Sequence, residues 1–430
     1  TVYAGGLVFQ QVFGIKELWG IDFFWIAAIG LVVLTALYTI FGGMKSVLYT
    51  SVLQTPILLL GSLIILILGF KELGGWDEMM RVCGAVTVND YGDTMTNLIR
   101  SNDDANFPWL GALIGSAIIG FWYWCTDQFI VQRVLSGKNE MEARRGTIFG
   151  AYLKLLPVFL FLIPGMIAFA LHQKYIGAGG EGFLPMLENG TANADAAFPT
   201  LVAKLLPAGV KGLVVCGILA ALMSSLASLF NSSAMLFTID FYKRFRPQTS
   251  EKKLVGIGQV ATVVIVILGI LWIPIMRSVG DVLYTYLQDV QSVLAPGIAA
   301  AFLLGICWKR TSAQGGMWGL ISGMVIGLTR LGAKVYYSNA GEVADSTFKY
   351  LFYDMNWLFF CGWMFLFCII VVIVVSLATE APTAEKIQGL VFGTATKEQK
   401  ASTRASWNHW DIIHTVIILA ITGAFYWYFW

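Results

Sequence analysis

Ala208-Gly-Val-Lys-Gly-Leu-Val-Val-Cys-Gly-Ile-Leu-Ala-Ala-Leu-Met-Ser-Ser-Leu-Ala-Ser-Leu-Phe-Asn-Ser-Ser-Ala-Met-Leu-Phe-Thr-Ile239 contains a single charged side chain, Lys211. A helix needs about 20 apolar residues to cross the hydrocarbon layer, and this run exceeds that. Comparable stretches recur at 22–43, 47–70, 108–134, 146–171, 254–275, 282–307, 315–333, 357–377 and 412–430, with 1–14 reading as the tail of another. The chain therefore reads as all-α, a polytopic transmembrane helix bundle. Composition agrees: 430 residues are 57% hydrophobic, 14% aromatic and only 13% charged. A soluble enzyme is excluded on that balance. A net charge of +2 offers no basic field for nucleic acid, and the partner such a surface demands is the lipid bilayer.

Ten crossings make alternating loops, and Lys and Arg crowd the cytoplasmic side of membrane proteins. One set of loops holds sixteen cations, among them Lys45, Arg133, Lys138, Arg144, Arg145, Lys309, Arg310 and Arg404. The other holds eleven, including Arg277, Arg330 and Lys334, spread over longer and more acidic loops. The first set is expected inside, which puts Trp430 outside a cell (plasma or inner) membrane. Segment 380–411 reads as a polar inner linker before the last span. Six cysteines and three histidines show no metal-ligand spacing, and the spans hold no nucleophile–base pair of the kind an enzyme needs. The chain opens on Thr1 with no charged leader, so earlier helices are expected upstream.

Polar groups inside apolar spans mark candidate sites. Lys154 lies about a third of the way into its span and either donates to a polar solute or snorkels to the inner surface. Gly217, Ala221, Ser224, Ser225, Ser228 and Ser232 recur at helical spacing on one face. Such a stripe serves close helix packing, or its hydroxyls and a freed carbonyl hold a hard cation such as Na⁺. Tyr284, Gln288, Gln291, Ser292 and Ala295 form a polar face before Pro296-Gly297, open to the readings of a substrate cavity or interhelical amide bonding. Phe121-Trp-Tyr-Trp-Cys-Thr-Asp-Gln128 places aromatics where a sugar's C–H face could stack, though such a stripe more often serves packing. Asp127 is a candidate ion-pair partner for Lys154.

These residues resemble the sodium/solute symporter family, and within it the sodium/glucose cotransporters. The strings that carry the resemblance are Leu37-Tyr-Thr-Ile-Phe-Gly-Gly-Met-Lys-Ser46, Trp122-Tyr-Trp-Cys-Thr-Asp-Gln-Phe-Ile-Val-Gln-Arg133, Tyr152-Leu-Lys-Leu-Leu-Pro157, Ala220-Ala-Leu-Met-Ser-Ser-Leu-Ala-Ser-Leu-Phe-Asn231 and Gly305-Ile-Cys-Trp-Lys-Arg310 with Gly315-Gly316. The resemblance implies an inverted-repeat core of two five-helix units. Residues 1–307 would supply the end of core helix 3 through core helix 10, and 308–430 three accessory helices. It also implies that the stripe is a sodium site, formed by the Ala221 carbonyl and the Ser224 and Ser225 hydroxyls. Lys154, Gln288 and Gln291 then match sugar-binding positions, Tyr123 the ring that stacks under the sugar as inner gate, and Trp124 its neighbour in glucose carriers. Gly120 stands where a galactose relative has a sugar-binding Asn. Ser51 and Ala227 replace groups linked to a second sodium, so the expectation is one sodium per hexose. Inositol or sialic acid transport, or a sugar-gated sensor, is the alternative. Because the first two core helices are missing, this stretch by itself is not expected to transport.

Overall fold

The computed structural model describes residues 2–187, 190–277, 283–339 and 344–430. Its helices in chain order are α1 (Val2–Phe13), α2 (Phe23–Leu73), α3 (Trp76–Gly84), α4 (Trp109–Phe121), α5 (Gln128–Leu135), α6 (Glu140–Pro157), α7 (Ile163–Gly177), α8 (Ala197–Leu205), α9 (Ala208–Leu236), α10 (Glu251–Arg277), α11 (Leu283–Cys307), α12 (Ala313–Asn339), α13 (Trp357–Ala378), α14 (Lys397–Ala405) and α15 (His409–Tyr428). Short polar side chains start several of them: Asp22 accepts from the Phe24 amide, Asn356 from Leu358, and Asn408 from Trp410. A two-residue hairpin, Glu17–Leu18 against Ile21–Asp22, is the only sheet among the described residues. Trp19 and Gly20 close it with φ of 56° and 75°, the pair of positive values that a type I′ turn requires.

The chain divides into two compact units, Thr1–Val86 with Leu153–Leu283, and Thr87–Tyr152 with Tyr284–Trp430. In the first, α9 packs along α2 through small residues. A Cβ on Gly217 would meet Ile57 Cγ2 at 3.0 Å, and one on Gly61 would meet Val214 Cγ2 at 2.6 Å. Leu31 and Val32 join Leu226 and Phe230 in one buried cluster. In the second, α12 presents Gly315, Gly319, Gly323 and Gly327 along one face, and these lie against α13 and α11. Ile118, Ile119, Ala295, Ala299, Trp357, Leu358 and Cys361 form a buried cluster shared by α4, α11 and α13.

Eight helices are long and apolar enough to cross a membrane among the described residues, against the ten spans expected. Two differences account for this. The stretch expected over 22–43 is represented among the described residues by the shorter apolar helix Phe23–Leu37, while 47–70 keeps its span as Gln54–Leu73. Both lie on the one helix α2, because nothing in residues 43–47 forbids it. Leu31 and Ser51 both reach the same part of α9, although straight helix would separate them by about 30 Å, so α2 bends between them. Gly42, Gly43 and the Lys45 side chain lie in the part of α2 whose side chains are outside the described residues. The other difference is α12, which is helical but too rich in Gly, with Arg330 inside it, to match the other spans. Arg330 and Lys334 are thus helical residues rather than loop cations, and Arg330 is completely buried. The apolar span expected over 108–134 also stops early. Asp127 adopts φ −71° and ψ 121° and caps α5, since a short carboxylate at an N-cap outcompetes continued helix.

Candidate functional site

In the first unit the stripe on α9 divides its labour. Gly217 serves packing against Ile57 and Leu58. Two turns further along, the hydroxyls take over: Ser224 is buried and its Oγ lies 2.6 Å from Ser51 Oγ on α2. Ser228 Oγ donates to the Ser224 carbonyl at 3.0 Å, and Ser232 Oγ to the Ser228 carbonyl at 2.7 Å. Back-bonding of this kind satisfies a hydroxyl locally in an apolar helix. Ser225 and Ala221 are partly buried, and the Ser225 hydroxyl makes no hydrogen bond among the described residues. Neutral oxygens gathered in this way suit a hard cation of low charge. No group of His, Cys, Asp or Glu able to hold a metal occurs among the described residues.

Lys154 sits exposed in the last turn of α6. Pro157 follows, and a proline lacks the N–H that would bond the Leu153 carbonyl four residues earlier. The helix passes at once into a π-helical turn, Val158–Leu162, before α7. A second such turn, Trp122–Thr126, carries Tyr123 and Trp124 in the other unit. Turns of this kind insert a residue and swing the following side chains around the axis, and they concentrate at functional positions. Tyr123 is partly buried and meets Trp124 edge to face, with centroids 5.2 Å apart at 90°. Asp127 spends its carboxylate on the Phe129 amide at 3.0 Å.

On α11 the expected polar face splits. Ser292 and Ala295 are fully buried, with the Ser292 hydroxyl donating to the Asp289 carbonyl at 2.6 Å, so this half is packing. Tyr284, Gln288 and Gln291 are more open. Gln288 Nε2 donates to Tyr284 Oη at 2.8 Å, which leaves its carbonyl oxygen available, and Gln291 has no hydrogen-bond partner among the described residues. Of the eight site residues expected, Ala221, Ser224, Ser225 and Lys154 belong to the first unit, and Tyr123, Trp124, Gln288 and Gln291 to the second.

The sequence reading missed a charged cluster next to Gln288. Asp289 Oδ2 pairs with Lys334 Nζ at 2.6 Å, and Asp289 Oδ1 lies 3.6 Å from Arg330 Nη2. The same guanidinium donates to the carbonyls of Leu351 and Met355, at 3.3 and 2.7 Å, and lies 4.1 Å over the Phe360 ring. The available signal was the spacing of Arg330 and Lys334, four apart on one helical face.

A set of apolar helices that carry hydroxyls, amides and a lysine defines the class, a polytopic membrane protein. The model of the sodium:solute symporter family matches residues 1–323, and the chain belongs to that family. It is 35% identical to the sodium/myo-inositol cotransporter 2 of Homo sapiens over 91% of this chain and 59% of that protein. A sodium/mannose cotransporter of Bos taurus is 35% identical over 100% of this chain and 74% of its own length. The sodium/glucose cotransporter 4 of Mus musculus is also 35% identical, over 91% of this chain and 58% of that protein. The chain thus spans about three fifths of the length of the inositol and glucose relatives. A solved structure of a Na⁺-coupled sialic acid symporter, substrate-bound and outward-open, shares the fold with TM-score 0.65 and 21% identity, covering 89% of this chain and 73% of that one.

Proposed function

We propose that the protein carrying this chain is a sodium-coupled symporter of a polyhydroxylated solute, working by alternating access. The observation that carries the reading is the set of hydroxyls on α9, with Ser224 facing Ser51 across an apolar helix pair. In this reading residues 1–307 supply the transport core and 308–430 accessory helices. Sodium binds the Ala221 carbonyl and the Ser224 and Ser225 hydroxyls. Lys154 donates to solute hydroxyls, the Gln288 and Gln291 amides bond others, and Tyr123 offers its ring as a floor and inner gate beside Trp124. Inward movement of one cation gains about 2.3 kcal/mol per 100 mV of membrane potential, enough to concentrate a neutral solute. No bond is made or broken, so the protein is a carrier rather than an enzyme.

The solute assigned is a hexose, glucose or galactose, because the Tyr123-Trp124 pair lies in a cotransporter string and Gln288 matches a sugar-binding position. The resemblance to an inositol cotransporter keeps a cyclitol as the second reading. Ser51 and Ala227 favour one sodium per solute, and Trp430 is placed outside. The experiment is uptake of labelled glucose, galactose, mannose and myo-inositol by the full-length protein in proteoliposomes, with Ser225→Ala and Lys154→Ala alongside. A hexose should outrun myo-inositol and both variants should lose most uptake; preference for myo-inositol selects the second reading. A reversal potential corresponding to two charges per solute contradicts the single-sodium assignment.

A further inference from the structure

Between the first half of α6 and the start of α15 runs a groove that takes no part in the site described above. Its first cavity, about 390 Å³, is lined by Arg145, Phe149, Tyr152, Trp410, Asp411 and His414 among others. A second cavity of about 870 Å³ adjoins it, sharing Ile148 and Asp411 and adding Arg144, Ile412 and Val416. We propose that this groove binds one anionic phospholipid, its headgroup phosphate on Arg145 and an acyl chain along Phe149, Ile412 and Val416.

Arg145 and Asp411 are the charged residues that line the first cavity, and Glu140, Arg144 and Asp411 those of the second, so the place for an anion is the first cavity, beside Arg145 and away from Glu140. Asp411 is already committed, accepting from the Asn408 amide at 2.8 Å at the N-terminus of α15. Arg144 donates to Ser406 Oγ at 3.2 Å, and its Nε is buried with no partner among the described residues. The exposed Arg145 guanidinium makes no hydrogen bond or ion pair among the described residues. Two turns along the same face of α6, Tyr152 Oη lies 3.0 Å from His414 Nδ1, closing the groove with a polar pair. Trp410, 56% exposed, stands at the mouth, the amphipathic ring expected at a membrane interface. Beyond these few polar groups α15 turns apolar at Ile412 and remains almost wholly uncovered. Only a molecule with an anionic head and a hydrocarbon tail matches both ends. The cation distribution assigns this end to the cytoplasm, where acidic lipids gather and basic pockets between spans capture their headgroups. Lys154 lies on the same helix, nine residues beyond Arg145, so an occupied groove steadies the base of the helix that carries it. That last step rests on the solute-binding role proposed above.

Native mass spectrometry of the full-length protein, delipidated and then titrated with phosphatidylglycerol or phosphatidylcholine, tests the site without any transport assay. Phosphatidylglycerol should be retained preferentially. Arg145→Gln should weaken retention about fivefold, the factor expected for one cation near a headgroup, and Lys138→Gln, an exposed control at the same end, should not. Retention untouched by Arg145→Gln, equal retention of phosphatidylcholine, or a second copy of the chain seated in the groove overturns the proposal. If phosphatidylglycerol is retained specifically while uptake is absent, the lipid site stands and the transport reading falls.

Discussion

Arg330 carries a permanent charge and exposes no surface. Its environment shows how that is tolerated: two carbonyls, one carboxylate and one aromatic face surround the guanidinium. Removing it strands Asp289 in part and two carbonyls altogether, and breaking a buried pair typically costs about 3–5 kcal/mol. Arg330→Met should therefore lower thermal stability severely in a size-exclusion melting assay. Lys334→Met should lower it less, because Lys334 keeps a quarter of its side chain in contact with solvent. Equal losses would show that the carbonyl bonds to Arg330 contribute little. Sequence placed both cations in a loop because a charge near a predicted helix end looks like a loop charge. Burial depends on what α11 and α13 supply, and local pattern does not carry that. Ser224 was legible, since helical spacing alone puts it on a face with Ala221. Its pairing with Ser51, 173 positions away, was not.

Among elements, α12 shows most plainly how glycine sets a distance. Gly315, Gly319, Gly323 and Gly327 lie four apart, so they share a face, and that face meets the backbones of α11 and α13. A Cβ on Gly323 would come within 2.9 Å of Gly297 Cα, while one on Gly316 meets nothing within 4 Å. Gly323→Ala must push two backbones apart and should destabilise by about 1–3 kcal/mol, the usual cost of overpacking. Gly316→Ala should be neutral or slightly stabilising, since alanine is the better helix former. Melting temperatures of the two variants decide this, and indistinguishable values would contradict the packing described. The element boundaries that sequence misjudged share one cause. The 43–47 junction lacks a proline and stays helical, whereas Asp127 can cap a helix and so ends a span that is apolar on both sides. Hydropathy measures neither propensity nor capping.

At the scale of the whole molecule, the bundle is joined by polar segments, and one of them holds two carboxyls below their usual range. In the segment between α3 and α4, Asp104 keeps its carboxyl below the usual range: burial pushes it up, but the Phe107 and Asn106 amides, Asn89 and Arg100 together outweigh that. Asp93 is held low by Asn89 and the Ser101 amide. A depressed carboxyl adds stability that is complete above its unfolded value, about 3.9, and is lost as pH falls through the lower folded value. Protection of the amides in residues 89–107, taken relative to their intrinsic exchange rate at each pH, should therefore be unchanged between neutral and mildly acid pH and should fall below that value. Protection lost already in the range where histidine titrates would refute this assignment. The membrane class and the α9 stripe were readable from sequence because each is a periodic, local property. The two compact units and the Asp289 cluster depend on long-range packing and were not.

If sodium held by hydroxyls on α9 drives solute entry, as proposed, then initial uptake of labelled solute by the full-length protein in proteoliposomes, measured against external sodium at fixed membrane potential, should be saturable and vanish without sodium. The Ser225→Ala curve should be displaced to much higher sodium. Uptake of equal rate with sodium absent, or a Ser225→Ala curve that overlies the wild type, would contradict it.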